Sequence, residues 1–93
     1  MNNRKVSIYK FVLDPTMEIQ RIHAPHIIGA LDVQLQGSQV VLWAKVYTDS
    51  TLRPYVILRC WTGAELAGDT VYLGTVQLLS GDVAHFFGGG PGL

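Results

Sequence analysis

Cysteine is almost missing from this chain of 93 residues: Cys60 stands alone. No intrachain disulfide can therefore staple the fold, and a reducing compartment suits the single thiol. It lies in the apolar run Val56-Ile57-Leu58-Arg59-Cys60-Trp61, where a thiol serves as a small hydrophobe. Charge is scarce too, at 15% of residues against about 25% in ordinary domains. Seven basic residues balance seven acidic ones, and they are scattered along the chain. A protein that grips duplex nucleic acid gathers several cations on one face, so no duplex partner is expected. Long hydrophobic runs are absent: no stretch approaches the ~18 apolar residues of a membrane span, and no apolar signal core opens the chain. The expectation is a soluble, cytoplasmic protein without a membrane partner.

Catalytic and metal-binding patterns are equally thin. His23 and His26 straddle Pro25 and His85 is remote, whereas zinc needs three or four converging ligands. No metal and no cofactor is expected. None of Ser7, Ser38, Ser50 and Ser80 sits in a strained Gly-x-Ser-x-Gly elbow. The aspartates fall mostly in turns, where they bond nearby backbone amides. Gly88-Gly89-Gly90 has no helix after it to complete a phosphate cradle. Cys60 with His85 is the one arithmetic route to an enzyme, so the leading expectation is a protein without catalysis.

What the chain does have is strand-forming sequence, with 48% apolar residues. β-Branched and aromatic runs cover 6–13, 17–22, 31–36, 39–47, 55–61, 70–78 and 82–87, separated by turn residues. Leu31-Asp32-Val33-Gln34-Leu35-Gln36 alternates apolar with polar, as a half-buried strand does. Gly37-Ser38 between two such runs predicts a tight hairpin of type I′ or II′. Pro25 suggests a corner, and Gly74 inside a strand suggests a bulge or bend. Residues 62–69 read as a loop with one helical turn at 64–67. The fold class is all-β: a small barrel or sandwich of six or seven mostly antiparallel short strands. One domain is expected over 1–87, followed by a loose glycine-rich tail at 88–93. So few charges on so small a surface also imply an apolar patch covered by a second copy or a ligand.

The aromatic strand residues supply the candidate binding positions. Strict alternation puts Tyr55, Ile57, Arg59 and Trp61 on one face of their strand and Val56, Leu58 and Cys60 on the other. Tyr, Arg and Trp together can stack a nucleobase and hold a phosphate, or anchor a protein interface, or merely cover a core edge while Arg59 reaches water. Trp43, Lys45 and Arg53 are further candidates for stacking and phosphate contact.

Ile8-Tyr9-Lys10-Phe11, Leu31-Asp32-Val33-Gln34-Leu35-Gln36, Leu42-Trp43-Ala44-Lys45-Val46, Tyr72-Leu73-Gly74-Thr75-Val76-Gln77 and Val83-Ala84-His85-Phe86-Phe87 occur in that order. In this the chain resembles a family of small uncharacterised proteins of bacteriophages and prophages. The likeness runs from about residue 6 to 87 and departs at Cys60-Trp61-Thr62-Gly63, where relatives commonly show Gly-Thr-Gly. It implies a phage accessory protein acting inside an infected bacterium, and it brings no catalytic residues with it. Joined to the residue-level reading, it implies an antagonist of host defence that binds a defence protein or sequesters a nucleotide-derived immune signal. Two other readings stand beside it: a virion structural or assembly protein, and a small enzyme built on Cys60 or His85.

Overall fold

A computed structural model describes residues 4–66 and 68–89. Seven strands follow one another: β1 (Val6–Leu13), β2 (Ile19–Ala24), β3 (His26–Gln36), β4 (Gln39–Tyr47), β5 (Arg53–Trp61), β6 (Thr70–Gln77) and β7 (Val83–Gly89). They form a three-stranded sheet in the order β1-β4-β3 and a four-stranded sheet in the order β2-β5-β7-β6. All pairings are antiparallel. The sheets face one another without closing, so the expected barrel or sandwich is a sandwich.

The core lies between the sheets and is filled by alternate residues. Val40, Leu42, Ala44 and Val46 point inward from β4, Leu13 from β1, Ile22 and Ala24 from β2, Tyr55 and Ile57 from β5, and Ala84 and Phe86 from β7. Burying one side chain such as Phe86 or Ile57 is worth about 1.5–3 kcal/mol. Among the described residues, no buried side-chain nitrogen or oxygen lacks a hydrogen-bond partner.

The chain crosses between sheets at Pro25, which is buried and separates β2 from β3. A corner leaves backbone donors that no ladder satisfies, and these must find other partners. The His26 N–H donates to Ser50 Oγ at 2.7 Å, and the Ile27 N–H donates to Tyr55 Oη at 3.0 Å. Ser50 Oγ in turn donates to the Tyr47 carbonyl at 2.6 Å. One serine and one tyrosine thus fix the start of β3.

The β3–β4 hairpin turns at Gly37-Ser38, with Gln36 opposite Gln39. Gly37 has φ +63°, and Ser38 is not among positive-φ residues, which selects type II′ over type I′. At Gly74 the β6–β7 register shifts. A Cβ there would stand 2.7 Å from Val33 Cβ, so this glycine lets β6 approach β3 of the other sheet.

Three sequence expectations need correction. β7 continues through Gly88 and Gly89: Gly88 is buried opposite both Ile57 and Val71, and Gly89 pairs with Thr70. In a central strand, backbone pairing on both edges holds residues that bring no side chain. The rest of the expected tail, 90–93, lies outside the described residues. The alternation of residues 31–36 also fails at its first position. β3 is bulged between Ile27 and Gly29 and again between Ala30 and Asp32, which leaves Leu31 exposed while Val33 stays buried. Finally, 64–66 form no helical turn; a tight turn closes earlier, with the Ala64 N–H donating to the Trp61 carbonyl at 3.1 Å.

Candidate functional site

The alternation expected along β5 is present, but its Tyr55/Ile57/Arg59/Trp61 face looks into the sandwich. Tyr55 is only 4% exposed, and its hydroxyl is engaged by Ile27. It is a core residue that ties the corner, and its place in a ligand-binding face is withdrawn. Arg59 and Trp61 lie where that inward face runs past the end of the core. The Arg59 guanidinium stacks 4.1 Å from the centroid of Trp61, and Arg59 Nε donates to the Pro15 carbonyl at 3.1 Å. Arg53 is exposed at the other end of β5, roughly 26 Å away at strand rise. Trp43 and Lys45 belong to β4 in the other sheet. The six candidates therefore do not form one site: Arg59 pairs with Trp61, Trp43 neighbours Lys45, and Arg53 and Tyr55 join neither pair.

Beside Arg59 and Trp61 is a hollow of about 230 Å³ walled by Ile19, Leu58 and Leu66 and bordered by Glu18 and Glu65. Cys60 reaches it half-buried, with Sγ 3.5 Å from the Trp61 carbonyl and 3.8 Å from the Ala64 carbonyl. His85 is the cross-strand partner of Cys60, yet the two side chains turn to different partners. His85 Nε2 lies 2.8 Å from Thr62 Oγ1 and Nδ1 lies 2.9 Å from Thr75 Oγ1. The Tyr72 hydroxyl extends the chain to Thr75 at 2.7 Å. A thiol bonded to carbonyls and an imidazole held between hydroxyls are not arranged as a nucleophile with its base. Among the described residues, no group of three or more His, Cys, Asp or Glu side chains is placed to hold a metal ion.

The outer face of the three-stranded sheet has a different character. Opposed residues of antiparallel strands share a face, so Val6, Ile8, Lys10 and Val12 of β1 stand beside Tyr47, Lys45, Trp43 and Val41 of β4. Ile8 is 59% exposed, Leu31 53%, Val12 52% and Val6 46%. Val6, Ile8, Leu31, Ser7 and Lys45 border an open depression of about 560 Å³. Cations and aromatic rings frame it. Lys10 Nζ donates to Gln36 Oε1 at 3.1 Å and stands 5.9 Å from the Trp43 ring. Arg4 stacks 3.9 Å over the Tyr47 ring and donates from Nη2 to Asp49 Oδ1 at 3.1 Å. The hydrogen bond from Arg4 holds the Asp49 carboxyl below its usual range. An apolar sheet face with a basic rim is suited to docking an apolar surface bordered by acidic groups.

Residues 4–91 match the model of a domain of unknown function, DUF7352. The chain belongs to the DUF7352 family. No curated protein and no solved structure matches it. In this DUF7352 domain, the sequence reading found Trp43 and Lys45 but missed Val6, Ile8, Val12 and Leu31 around them. A signal for three of these was available: both alternating sets of β1 are largely apolar, so one set had to remain outside a two-layer fold. Nothing comparable marked Leu31, whose exposure follows from a bulge.

Proposed function

We propose that this DUF7352 domain is a non-catalytic binding module, and that its outer three-stranded sheet docks a bacterial defence protein on behalf of a phage. The observation that carries the docking mode is the apolar surface of Ile8, Val12, Val6 and Leu31 on one sheet. Together these side chains leave roughly 400 Å² uncovered, within the range of the largest apolar patch on a typical monomer, which is often functional. Lys10, Lys45 and Arg4 rim the surface, with Asp32 opposite Trp43 and Asp49 paired with Arg4 as acidic exceptions. The target surface is accordingly apolar with acidic groups around it. The phage setting rests on the ordered motif resemblance, and its defence target is the reading that joins the two.

The docking of a protein is favoured here over sequestration of a nucleotide signal. One face of Trp61 is already covered by Arg59, and the neighbouring hollow presents Glu18 and Glu65, which repel phosphate. The test is phage plaquing on bacteria with an active defence system, with the domain supplied in trans. The parent should restore plaquing, Leu31→Glu should abolish it while folding normally, and Trp61→Ala should act like the parent. An equally active Leu31→Glu variant would remove the sheet face from consideration. Loss of activity in Trp61→Ala, together with a nucleotide released by denaturing the purified parent, would install sequestration instead.

A further inference from the structure

Every open sheet presents two edges, and folded proteins protect them with bulges, short strands, proline or charge. Here three of the four edges are bulged or short. β3 is bulged twice, and β6 is bulged at Tyr72/Gly74. β2 is six residues long, is followed at once by Pro25, and carries Arg21 and His23. β1 differs: it has eight residues, pairs with β4 in unbroken register, contains neither proline nor glycine, and bears a single charge, Lys10, whose ammonium is bonded to Gln36 Oε1. Its far edge has no neighbouring strand among the described residues.

The backbone phase of that edge follows from one bond. The Thr48 N–H donates to the Lys5 carbonyl at 3.0 Å, continuing the register in which Val6 faces Tyr47. In an antiparallel ladder alternate residues direct both backbone groups to the same neighbour. Ser7, Tyr9, Phe11 and Leu13 therefore bond β4, while Val6, Ile8, Lys10 and Val12 offer N–H and C=O groups outward.

We propose that β1 pairs antiparallel with β1 of a second copy across a two-fold axis at Tyr9, making one six-stranded sheet from two three-stranded ones. A self-complementary edge closes under such an axis, leaving no further edge of the same kind for growth. The register is chosen by the side chains. Centring on Tyr9 bonds Ile8 to Lys10 of the second copy and Val6 to Val12, which uses all four outward residues. It also places the two Tyr9 rings together as an aromatic cross-strand pair, a favourable contact. Centring on Lys10 would oppose two ammonium groups, and centring on Ile8 would leave Val12 unpaired. Tyr9 is half-exposed beside Phe11, with ring centroids 6.3 Å apart, so its ring is accessible from the edge. This inference is independent of the target proposed above. The pairing would set the two outer faces side by side, and the docking residue Leu31 lies on β3, across β4 from the dimer edge.

Sedimentation equilibrium of the full chain should give a dimer at about 100 µM, consistent with a modest interface. Ile8→Pro removes an outward N–H and no bond to β4, a substitution that an edge strand tolerates. It should weaken the dimer by roughly tenfold or more. In a Cys60→Ser background, Tyr9→Cys should form an intermolecular disulfide on mild oxidation, because opposed residues that exchange no backbone bonds are close enough to be bridged. Ser7→Cys, which this register sets opposite Phe11, should not. A parent monomeric at that concentration, or a dimer in which Ser7→Cys crosslinks and Tyr9→Cys does not, overturns the proposal. If Ile8→Pro fails to fold, the two cysteine variants decide. A monomer that still acts against the defence system would defeat the pairing and leave the docking reading standing.

Discussion

Replacing Gly74 with alanine probes the closest approach of the two sheets. The added methyl would lie 2.7 Å from Val33 Cβ, 2.9 Å from Val33 Cγ2 and 3.1 Å from the Val33 backbone nitrogen. None of these is the free end of a flexible chain. β6 and β3 must separate, and over-packing of this kind costs about 1–3 kcal/mol. Because two contacts involve Cβ and backbone, the upper half of that range is expected, about 2–3 kcal/mol. In a domain of this size such a loss lowers Tm by roughly 8–20 °C. Thermal and urea unfolding followed by circular dichroism measure it directly. Val33→Ala removes Cγ2 but keeps Cβ, so the Gly74→Ala penalty should shrink in that background without vanishing. A Gly74→Ala protein as stable as the parent, or an unchanged penalty beside Val33→Ala, would refute the packing argument.

Tyr55→Phe should cost about 1–3 kcal/mol in urea unfolding, because it strands the Ile27 N–H at a buried corner. Its surface chemistry should be unchanged, unlike the outcome expected of a ligand-binding tyrosine. Gly37→Ala should destabilise by about 1–2 kcal/mol, since φ +63° is strained for an L side chain, and Gly37→Asn should recover part of the loss. The Asp49 carboxyl titrates below its ordinary value of 3.8 because it accepts from Arg4. A depressed folded pKa contributes stability that is present above the unfolded value and lost as pH falls through the folded one. Asp49→Asn should therefore differ from the parent at about pH 6, and the difference should shrink as the pH falls below 3.8, as measured by unfolding midpoints across that range.

Much of the fold follows from local sequence. The apolar run of 39–47 marked β4, and the shift of partners at Pro25 follows from an imino acid that cannot donate to a ladder. Gly37-Ser38 marked its hairpin because only glycine enters the left-handed region cheaply at that position. Gly74 announced an irregularity, though not its cause. The candidate site was less legible. Tyr55, Arg59 and Trp61 were placed on one face of β5, but alternation does not say which face looks inward, and the corner's need for a hydrogen-bond acceptor drew Tyr55 into the core.

The amino-acid sequence by itself determined the strand-rich class, the positions of the tight turn and the corner, and the absence of a disulfide framework. Each depends on neighbours within a few residues: period-two patterning, glycine and proline stereochemistry, and a single thiol. Only the tertiary structure decided that the sheets stack without closing, that two bulges in β3 leave Leu31 exposed, and that Gly88 and Gly89 join a central strand. It also decided that β1 keeps an edge with no neighbouring strand among the described residues. These outcomes depend on which distant strand lies alongside, because backbone groups are satisfied and side chains buried by partners that the local pattern does not name.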